Sequence, residues 1–170
     1  MIEPQLRVIG VIRTRYTEAE HTPIQASLNV EEAARVELDD RYAAALDGLD
    51  EFSHAWLLTW LGGTAGAPPV PPLRQVPFLL RRHPRQLGIL ATRGPRRPNP
   101  IGLSLVRLTA VERTVIRFLG VDMVDGTPLL DVKPYVSRLD SAAGDVRGGW
   151  FDTVDLEGPV TPAELDRPFR

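Results

Sequence analysis

The part of the sequence best suited to chemistry is a proline-rich loop between two apolar runs. Pro95, Pro98 and Pro100 each remove a backbone donor, fix φ and favour an extended conformation in the residue before them. On this stiff frame the loop carries four polar side chains: Arg93, Arg96, Arg97 and Asn99. Donors that are ordered beforehand lose little entropy when an anion or polar ligand binds. The pattern predicts a ligand-binding loop, and the alternative is an exposed basic turn that is stiff for stability.

The charge distribution around this loop favours an anionic partner. No acidic residue occurs between Glu51 and Glu112, although the whole chain has 22 acidic and 20 basic residues and a formal charge of −2. That acid-free interval contains eight arginines: Arg74, Arg81, Arg82, Arg85, Arg93, Arg96, Arg97 and Arg107. A positive centre between negative flanks is typical of a surface that binds a polyanion.

A second group of chemically capable residues lies near Asp125-Gly126, a dipeptide that predicts a two-residue β-hairpin turn. That hairpin would pair Asp122 with Leu129 and would place Gly120 opposite Asp131. Because side chains alternate along a strand, one face would carry four polar groups beside a hollow at Gly120. They are Asp122, Asp131, Lys133 and Tyr135.

Three interpretations of this face are possible. It can be an Asp131–Lys133 ion pair on a solvated surface. It can be a metal site, although hard cations require more oxygen ligands than two diagonal aspartates supply, so we expect no metal. It can also be a ligand pocket in which carboxylates bind the cationic amino acid or the ribose end of a cofactor.

Two further features are weaker candidates. His54 could act as a general base, since its unperturbed pKa is near neutrality, but a hydrogen-bonded histidine at the start of a buried strand is the simpler interpretation. The glycine-rich segment 62–66 follows a predicted strand, as a dinucleotide-binding loop does. Such a loop must open a helix, and here prolines follow at once, so the dinucleotide interpretation fails.

The elements that must position these residues are mainly β-strands. Alternating or continuous apolar runs predict strands at 6–14, 53–61, 87–92, 101–112, 115–124 and 127–135, with the run 53–61 buried on both faces and a turn at 112–114. The segment 32–38 fits a helix or a strand, and a short strand is favoured. One helix is predicted over 39–49, where an aspartate can cap the start and Gly48 can end it. The proline- and arginine-rich segment 66–86 is predicted to be a surface excursion.

Composition limits the possible functions. A chain of 170 residues without cysteine, with 43% hydrophobic residues, is typical of one globular domain without disulfides or thiolate chemistry. There is no apolar run of the roughly 20 residues that cross a bilayer and no visible secretory signal. We therefore expect a cytoplasmic protein, with residues 1–150 forming the domain and 151–170 forming a peripheral tail.

Four motifs, in order, resemble the TsaA-like (TrmO) family of S-adenosylmethionine-dependent tRNA methyltransferases. They are LDEFSHAW (49–56), ATRGPRRPNPIGLS (91–104), VDMVDGTP (121–128) and DVKPY (131–135), with further similarity at Gly149-Trp150. The resemblance implies a small single-sheet β-barrel with one or two short helices. It also implies a homodimer in which cofactor sites form where subunits meet.

The resemblance also implies a set of site residues. The cofactor-binding positions would be Ala26, Ser27, Leu28, Gly62, Gly63, Arg93, Leu103, Leu119, Gly120, Val121 and Asp122. Arg81, Arg82, Arg96 and Arg97 would bind RNA phosphates, and Asp131, Lys133 and Tyr135 are candidates for a catalytic role. Two positions depart from the family: Ala26-Ser27 stands where Pro-Gly is common, and Gly62-Gly63 stands where a polar pair is common.

The reaction implied is transfer of a methyl group from S-adenosylmethionine to N6 of threonylcarbamoyladenosine beside a tRNA anticodon. Longer family members carry an additional C-terminal domain, and this sequence ends about 35 residues after Tyr135. The implied cofactor is therefore better supported than the implied substrate. The alternatives are a methyltransferase of a small molecule and a non-catalytic RNA-binding module.

Overall fold

The computed structural model describes residues 5–62, 72–81, 84–154 and 160–165. Six strands form one antiparallel barrel: β1 (Gly10–Arg13), β2 (Ala33–Leu38), β3 (His54–Trp60), β6 (Ile101–Glu112), β7 (Val115–Leu119) and β8 (Pro128–Pro134). The barrel closes in the order β1-β2-β7-β6-β3-β8. A separate two-stranded sheet joins β4 (Arg74–Gln75) to β5 (Leu87–Gly88). The mainly β class and the single-sheet barrel are confirmed.

The barrel interior is filled by one face of each strand. Ile12, Val36, Leu57, Phe118 and Leu129 are fully buried there. Strand β3 shows the alternation directly, because Ala55, Leu57 and Thr59 are buried whereas the residues between them are only partly covered. The expectation that β3 is buried on both faces is therefore wrong, and its outer face stays accessible to ligands.

Strands β6 and β7 form the hairpin that the sequence predicts. Glu112 pairs with Val115, and the turn between them uses Arg113 at a φ of 47°. A register shift between Leu108 and Ala110 bends β6, which helps a short sheet to close.

The hairpin predicted at Asp125-Gly126, which would pair β7 with β8, does not form. Strand β7 pairs with β2 and β6, whereas β8 pairs with β1 and β3. The chain leaves the sheet at Gly120, whose φ of 98° is a conformation that few other residues adopt. Val121 and Met123 then enter the core, where burial of their apolar side chains stabilises this path of the chain. Gly120 does not lie opposite Asp131, since Asp131 pairs with Leu58.

The helices are few and short. The predicted helix at 39–49 is a 3₁₀ helix over Asp40–Leu46, and the Asp39 side chain caps it by accepting from the backbone N–H of Arg41 at 3.1 Å. Gly48 follows with a φ of 81°. Two α-helical turns occur later, α1 (Ser137–Asp140) and α2 (Pro162–Leu165). None of the described helices is long and apolar enough to cross a membrane.

The apolar run at 87–92 is not a single strand. Only Leu87–Gly88 pairs, with β4, and Ile89–Ala91 turns as a 3₁₀ helix. Ile89 is buried whereas Leu90 is 77% exposed, so the run is anchored by one side chain. The loop that carries Arg93, Arg96 and Arg97, called the arginine loop below, therefore begins from a tight turn. Its path is also fixed by Trp150, whose indole N–H donates to the carbonyl of Ala91 at 2.8 Å.

Candidate functional site

A cleft of about 190 Å³ opens where β7 ends and leaves one edge of β6 uncovered. The missing strand is replaced by the segment after Gly120 and by the 3₁₀ turn Ala26–Leu28. These two segments are joined because the side-chain amide of Asn29 donates to the carbonyl of Val121 at 2.9 Å. The cleft is therefore built between the barrel edge and two loops that hold each other.

The cleft combines ionisable, polar, apolar and aromatic walls. Its lining residues are Gln25, Ala26, Ser27, Trp56, Arg93, Leu103, Ser104, Leu105 and Asp122. It contains one cation and one carboxyl group, and Trp56 contributes a large aromatic surface. Sites for small ligands commonly have this character, with mostly apolar walls and a few placed polar groups.

Asp122 is the chemically distinctive member of the cleft. The hydroxyl of Ser104, itself buried, donates to Asp122 Oδ1 at 2.7 Å. Burial raises the pKa of the Asp122 carboxyl, and this effect outweighs the hydrogen bonds and the positive charge of Arg93, which act in the opposite direction. A carboxyl group of this kind favours a ligand that brings a positive charge or hydrogen-bond donors.

Of the cofactor-binding residues predicted from the sequence, five line the cleft together: Ala26, Ser27, Arg93, Leu103 and Asp122. Leu28, Leu119, Gly120 and Val121 adjoin them in the chain, although Val121 is fully buried and can offer only backbone atoms. Gly62 does not line the cleft and lies against the Trp60 ring, which an added Cβ would approach to 2.7 Å. Gly63 lies outside the described residues.

Sequence reasoning missed four lining residues: Gln25, Trp56, Ser104 and Leu105. Ser104 and Leu105 directly follow Leu103, so the site prediction stopped too early along β6. Trp56 lies on the outer, partly exposed face of β3. It was missed because the sequence analysis expected both faces of this strand to be buried.

The three catalytic candidates lie on the outer face near the end of β8. The Lys133 ammonium lies 3.0 Å from Asp131 Oδ2, and both side chains are roughly half exposed, so the ion-pair interpretation describes this geometry. Tyr135 packs edge-on against Trp56 with ring centroids 6.0 Å apart. Asp122 hydrogen-bonds Ser104 on the cleft side and does not share a hairpin face with them. No group of three or more possible metal ligands occurs among the described residues.

The remaining candidates differ in how firmly they are held. Arg96 is exposed, and Arg97 donates to the carbonyl of Thr92 at 3.2 Å, which helps to close the loop. The Arg81 guanidinium lies 4.3 Å from the centroid of the Phe78 ring, and Arg82 lies outside the described residues. His54 lies 2.9 Å from the hydroxyl of Ser53, consistent with a hydrogen-bonded histidine at a strand start.

Comparison with known proteins identifies relatives of this barrel. The model of the tRNA-methyltransferase O N-terminal domain matches residues 11–141. A probable S-adenosyl-L-methionine-binding protein of Pyrococcus abyssi is 38% identical over 146 residues, which are 86% of this chain and 75% of that protein. The tRNA (adenine(37)-N6)-methyltransferase of Escherichia coli is 38% identical over 143 residues, covering 81% of this chain and 60% of the enzyme.

The structural comparison agrees. The crystal structure of TrmO from Pseudomonas aeruginosa superposes with a TM-score of 0.73 at 34% identity, covering 91% of this chain and 66% of that one. The chain thus spans less than two thirds of that structure and of the E. coli enzyme. From the family match and the shared barrel, we conclude that the chain belongs to the TrmO family, as a tRNA-methyltransferase O N-terminal domain.

Proposed function

We propose that the protein is an S-adenosylmethionine-dependent methyltransferase that acts on tRNA, at N6 of a threonylcarbamoyladenosine beside the anticodon. The observation that carries this proposal is the cleft that brings Arg93, Asp122 and Trp56 together in a TrmO-family barrel. The E. coli relative, named tRNA (adenine(37)-N6)-methyltransferase, supports the substrate class.

The cleft chemistry fits the methyl donor. S-adenosylmethionine has a cationic sulfur and ammonium, a carboxylate and an aromatic base, and it supplies an activated methyl group when bound. Asp122 would bind a cationic or hydroxyl-bearing part, and Arg93 would bind the carboxylate. Leu103 and Leu105 would contact the apolar surface of the donor. Ala26 to Leu28, Gly62, Gly63 and Leu119 to Val121 complete the proposed set of contacts.

The protein then has mainly to align the acceptor nitrogen with the methyl carbon, since holding two reactants in line removes most of the entropic barrier. One proton must leave the acceptor nitrogen. Asp131, Lys133 and Tyr135 are the candidates for orienting the base or accepting that proton, because they lie on the same outer face as Trp56, which lines the cleft. The tRNA phosphates would be bound by Arg81, Arg82, Arg96 and Arg97.

We further propose that the protein acts as a homodimer whose cofactor sites lie where subunits meet. The cleft of about 190 Å³ is smaller than the roughly 300–1,000 Å³ of typical ligand sites. Its surroundings include Leu103, at 49% exposure, and Leu90 near the start of the arginine loop. Exposed apolar side chains around an incomplete pocket are what a partner subunit would cover. Light scattering should show a dimer that Leu103→Asp converts to a monomer.

Isothermal titration calorimetry with S-adenosylmethionine tests the cofactor proposal. We expect binding in the micromolar range, weakened at least tenfold by Arg93→Ala and unchanged by Arg138→Ala, an exposed arginine on α1. Absence of heat at millimolar donor would contradict the proposal and favour a non-catalytic RNA-binding module.

Mass analysis of tRNA nucleosides from a deletion strain tests the substrate. Loss of the methylated threonylcarbamoyladenosine is expected. An unchanged level, together with intact donor binding, would favour a small-molecule methyltransferase.

A further inference from the structure

The outer face of β3, β6 and β8 carries side chains both within the cleft proposed to bind the methyl donor (the donor cleft), such as Trp56 and Leu105, and beyond it. The strand register places six of them in two adjoining cross-strand rows: Leu105, Trp56 and Lys133 in one, Arg107, His54 and Tyr135 in the other. Tyr135 extends the second row just beyond β8, because its backbone N–H donates to the His54 carbonyl at 3.0 Å. Backbone pairing therefore fixes the relative positions of these six residues on the sheet.

Three of the six are aromatic, and Tyr135 packs against the other two. Tyr135 lies between His54 and Trp56, with centroid distances of 6.4 and 6.0 Å and interplanar angles near 70° (68° and 69°). Edge-to-face packing holds a ring in place and uses only one edge or face of it. All three rings are partly exposed. The cluster is thus rigid and still presents aromatic surface to solvent.

The cluster adjoins the cleft directly. Trp56 lines the cleft and also packs against Tyr135. A ligand lying on the cluster would therefore be next to a donor bound in the cleft. This adjacency is what a methyl acceptor requires, since reacting atoms must approach to about 3–3.5 Å.

Two cations adjoin the cluster, one of which, Lys133, pairs with Asp131 at 3.0 Å. Arg107 and Lys133 flank the rings on opposite sides, and both are exposed. Unpaired RNA bases are commonly bound by stacking on aromatic side chains while nearby cations contact the phosphates.

We propose that His54, Trp56 and Tyr135 form a stacking platform for the unpaired purine base that receives the methyl group. This inference rests on the proposed function and adds the binding site for the acceptor base. A second protein subunit fits the surface less well, because the centre of a subunit interface is usually depleted of charge, whereas Asp131, Lys133 and Arg107 surround these rings.

The test compares Tyr135→Leu with Tyr135→Phe, because only the first removes the ring. The measurement is the affinity for an RNA hairpin with the sequence of an anticodon arm, by fluorescence anisotropy, with saturating S-adenosylhomocysteine. Base–aromatic stacking predicts that Tyr135→Leu weakens RNA binding by about 5- to 150-fold and that Tyr135→Phe stays within about twofold of wild type. Phe52→Leu, which removes a partly exposed ring from a different cleft, is the matched control and should also stay within about twofold.

Two further readouts separate stacking from other roles. The slope of RNA affinity against salt should be unchanged in Tyr135→Leu, because stacking releases no counterions, whereas Arg96→Ala should reduce it by about one. Donor affinity should be the same in both Tyr135 variants, which also shows that they are folded.

Several results would overturn the platform. These are unchanged RNA affinity in Tyr135→Leu, an equal loss in Tyr135→Phe, or an altered oligomeric state of Tyr135→Leu in light scattering, which would make the surface a subunit contact. Failure of the wild-type protein to bind the donor would reject the proposed function instead. If the wild-type protein methylates the RNA and Tyr135→Leu binds that RNA as tightly as the wild-type protein does, only the platform proposal is wrong.

Discussion

Two clefts of nearly equal size lie on this barrel, and their chemistry differs. The donor cleft has a volume of about 190 Å³ and the other about 180 Å³. The second is lined by the end of the 3₁₀ helix, the segment that follows it and β8: Ala45, Leu46, Asp47, Gly48, Leu49, Phe52, Val132 and Pro134. Its one ionisable residue, Asp47, is exposed.

The difference lies in how the carboxyl groups are held. Asp122 is hydrogen-bonded by a buried serine and its pKa is raised by burial. Asp47 remains in contact with water, and water screens its interactions strongly. Volume therefore does not distinguish the two clefts, whereas the placement of Asp122 with the buried Ser104 and with Arg93 does.

The largest expected effect is the loss of the desolvated carboxyl. Asp122→Asn should weaken S-adenosylmethionine binding by about 10- to 100-fold, because hydrogen bonds to charged groups contribute about 1.5–3 kcal/mol. Asp47→Asn, in the other cleft, should have no effect in the same calorimetric titration. Equal affinities of wild type and Asp122→Asn would remove the proposed distinction between the clefts.

The next effect is a pH dependence that only the donor cleft should show. A donor cation favours ionised Asp122, so donor affinity should rise with pH through its raised pKa, by at most about tenfold per pH unit. The ligand-free protein should behave in the opposite way. Since the folded state holds this proton more tightly than the unfolded state, its stability should fall as pH rises from about 3.8 through the raised pKa. Both dependences should be absent in Asp122→Asn, and their persistence would assign them to another group.

A smaller effect on donor affinity is expected to differ between two glycines that have positive φ, Gly120 and Gly126. Gly120 has a φ of 98° beside the donor cleft, and Gly126 has a φ of 78° in an open turn. Substitution of either by alanine should lower the free energy of unfolding by about 1–2 kcal/mol, since side chains disfavour this conformation. Only Gly120→Ala should also weaken donor binding, because that residue sets the path of the segment leading to Asp122. Denaturant titration and calorimetry together check both statements.

The smallest effect is expected in the second cleft. Phe52→Leu removes a ring that is 36% exposed and should lower stability by less than about 1 kcal/mol. Donor affinity should stay within twofold. A tenfold loss would show that this cleft also takes part in donor binding.

Much of the fold was predictable because it depends on local patterns. The strand at 32–38, the turn at Arg113 and the cap at Asp39 follow from alternation, turn chemistry and hydrogen bonding within a few residues. The order of strands in the barrel is not local. Asp125-Gly126 has hairpin chemistry, yet burial of Val121 and Met123 directs the chain away from β7 and towards β1.

The site was predicted in part, for a similar reason. Arg93 and Asp122 were found through their motifs, and both line the cleft. Ser104 and Trp56 were missed because their importance depends on which strand edge is uncovered and which face of β3 points outward. Neither property can be obtained from alternation alone.

The hydrogen bond between Trp150 and Ala91 links the arginine loop to a distant part of the chain. The indole also stacks on Phe151, at a centroid distance of 3.8 Å. A change in the loop backbone is therefore transmitted to the surroundings of an intrinsic fluorophore. Emission from Trp150 would give a label-free signal of a change in this loop, and comparison of the wild-type protein with Trp150→Phe would separate it from the emission of Trp56 and Trp60.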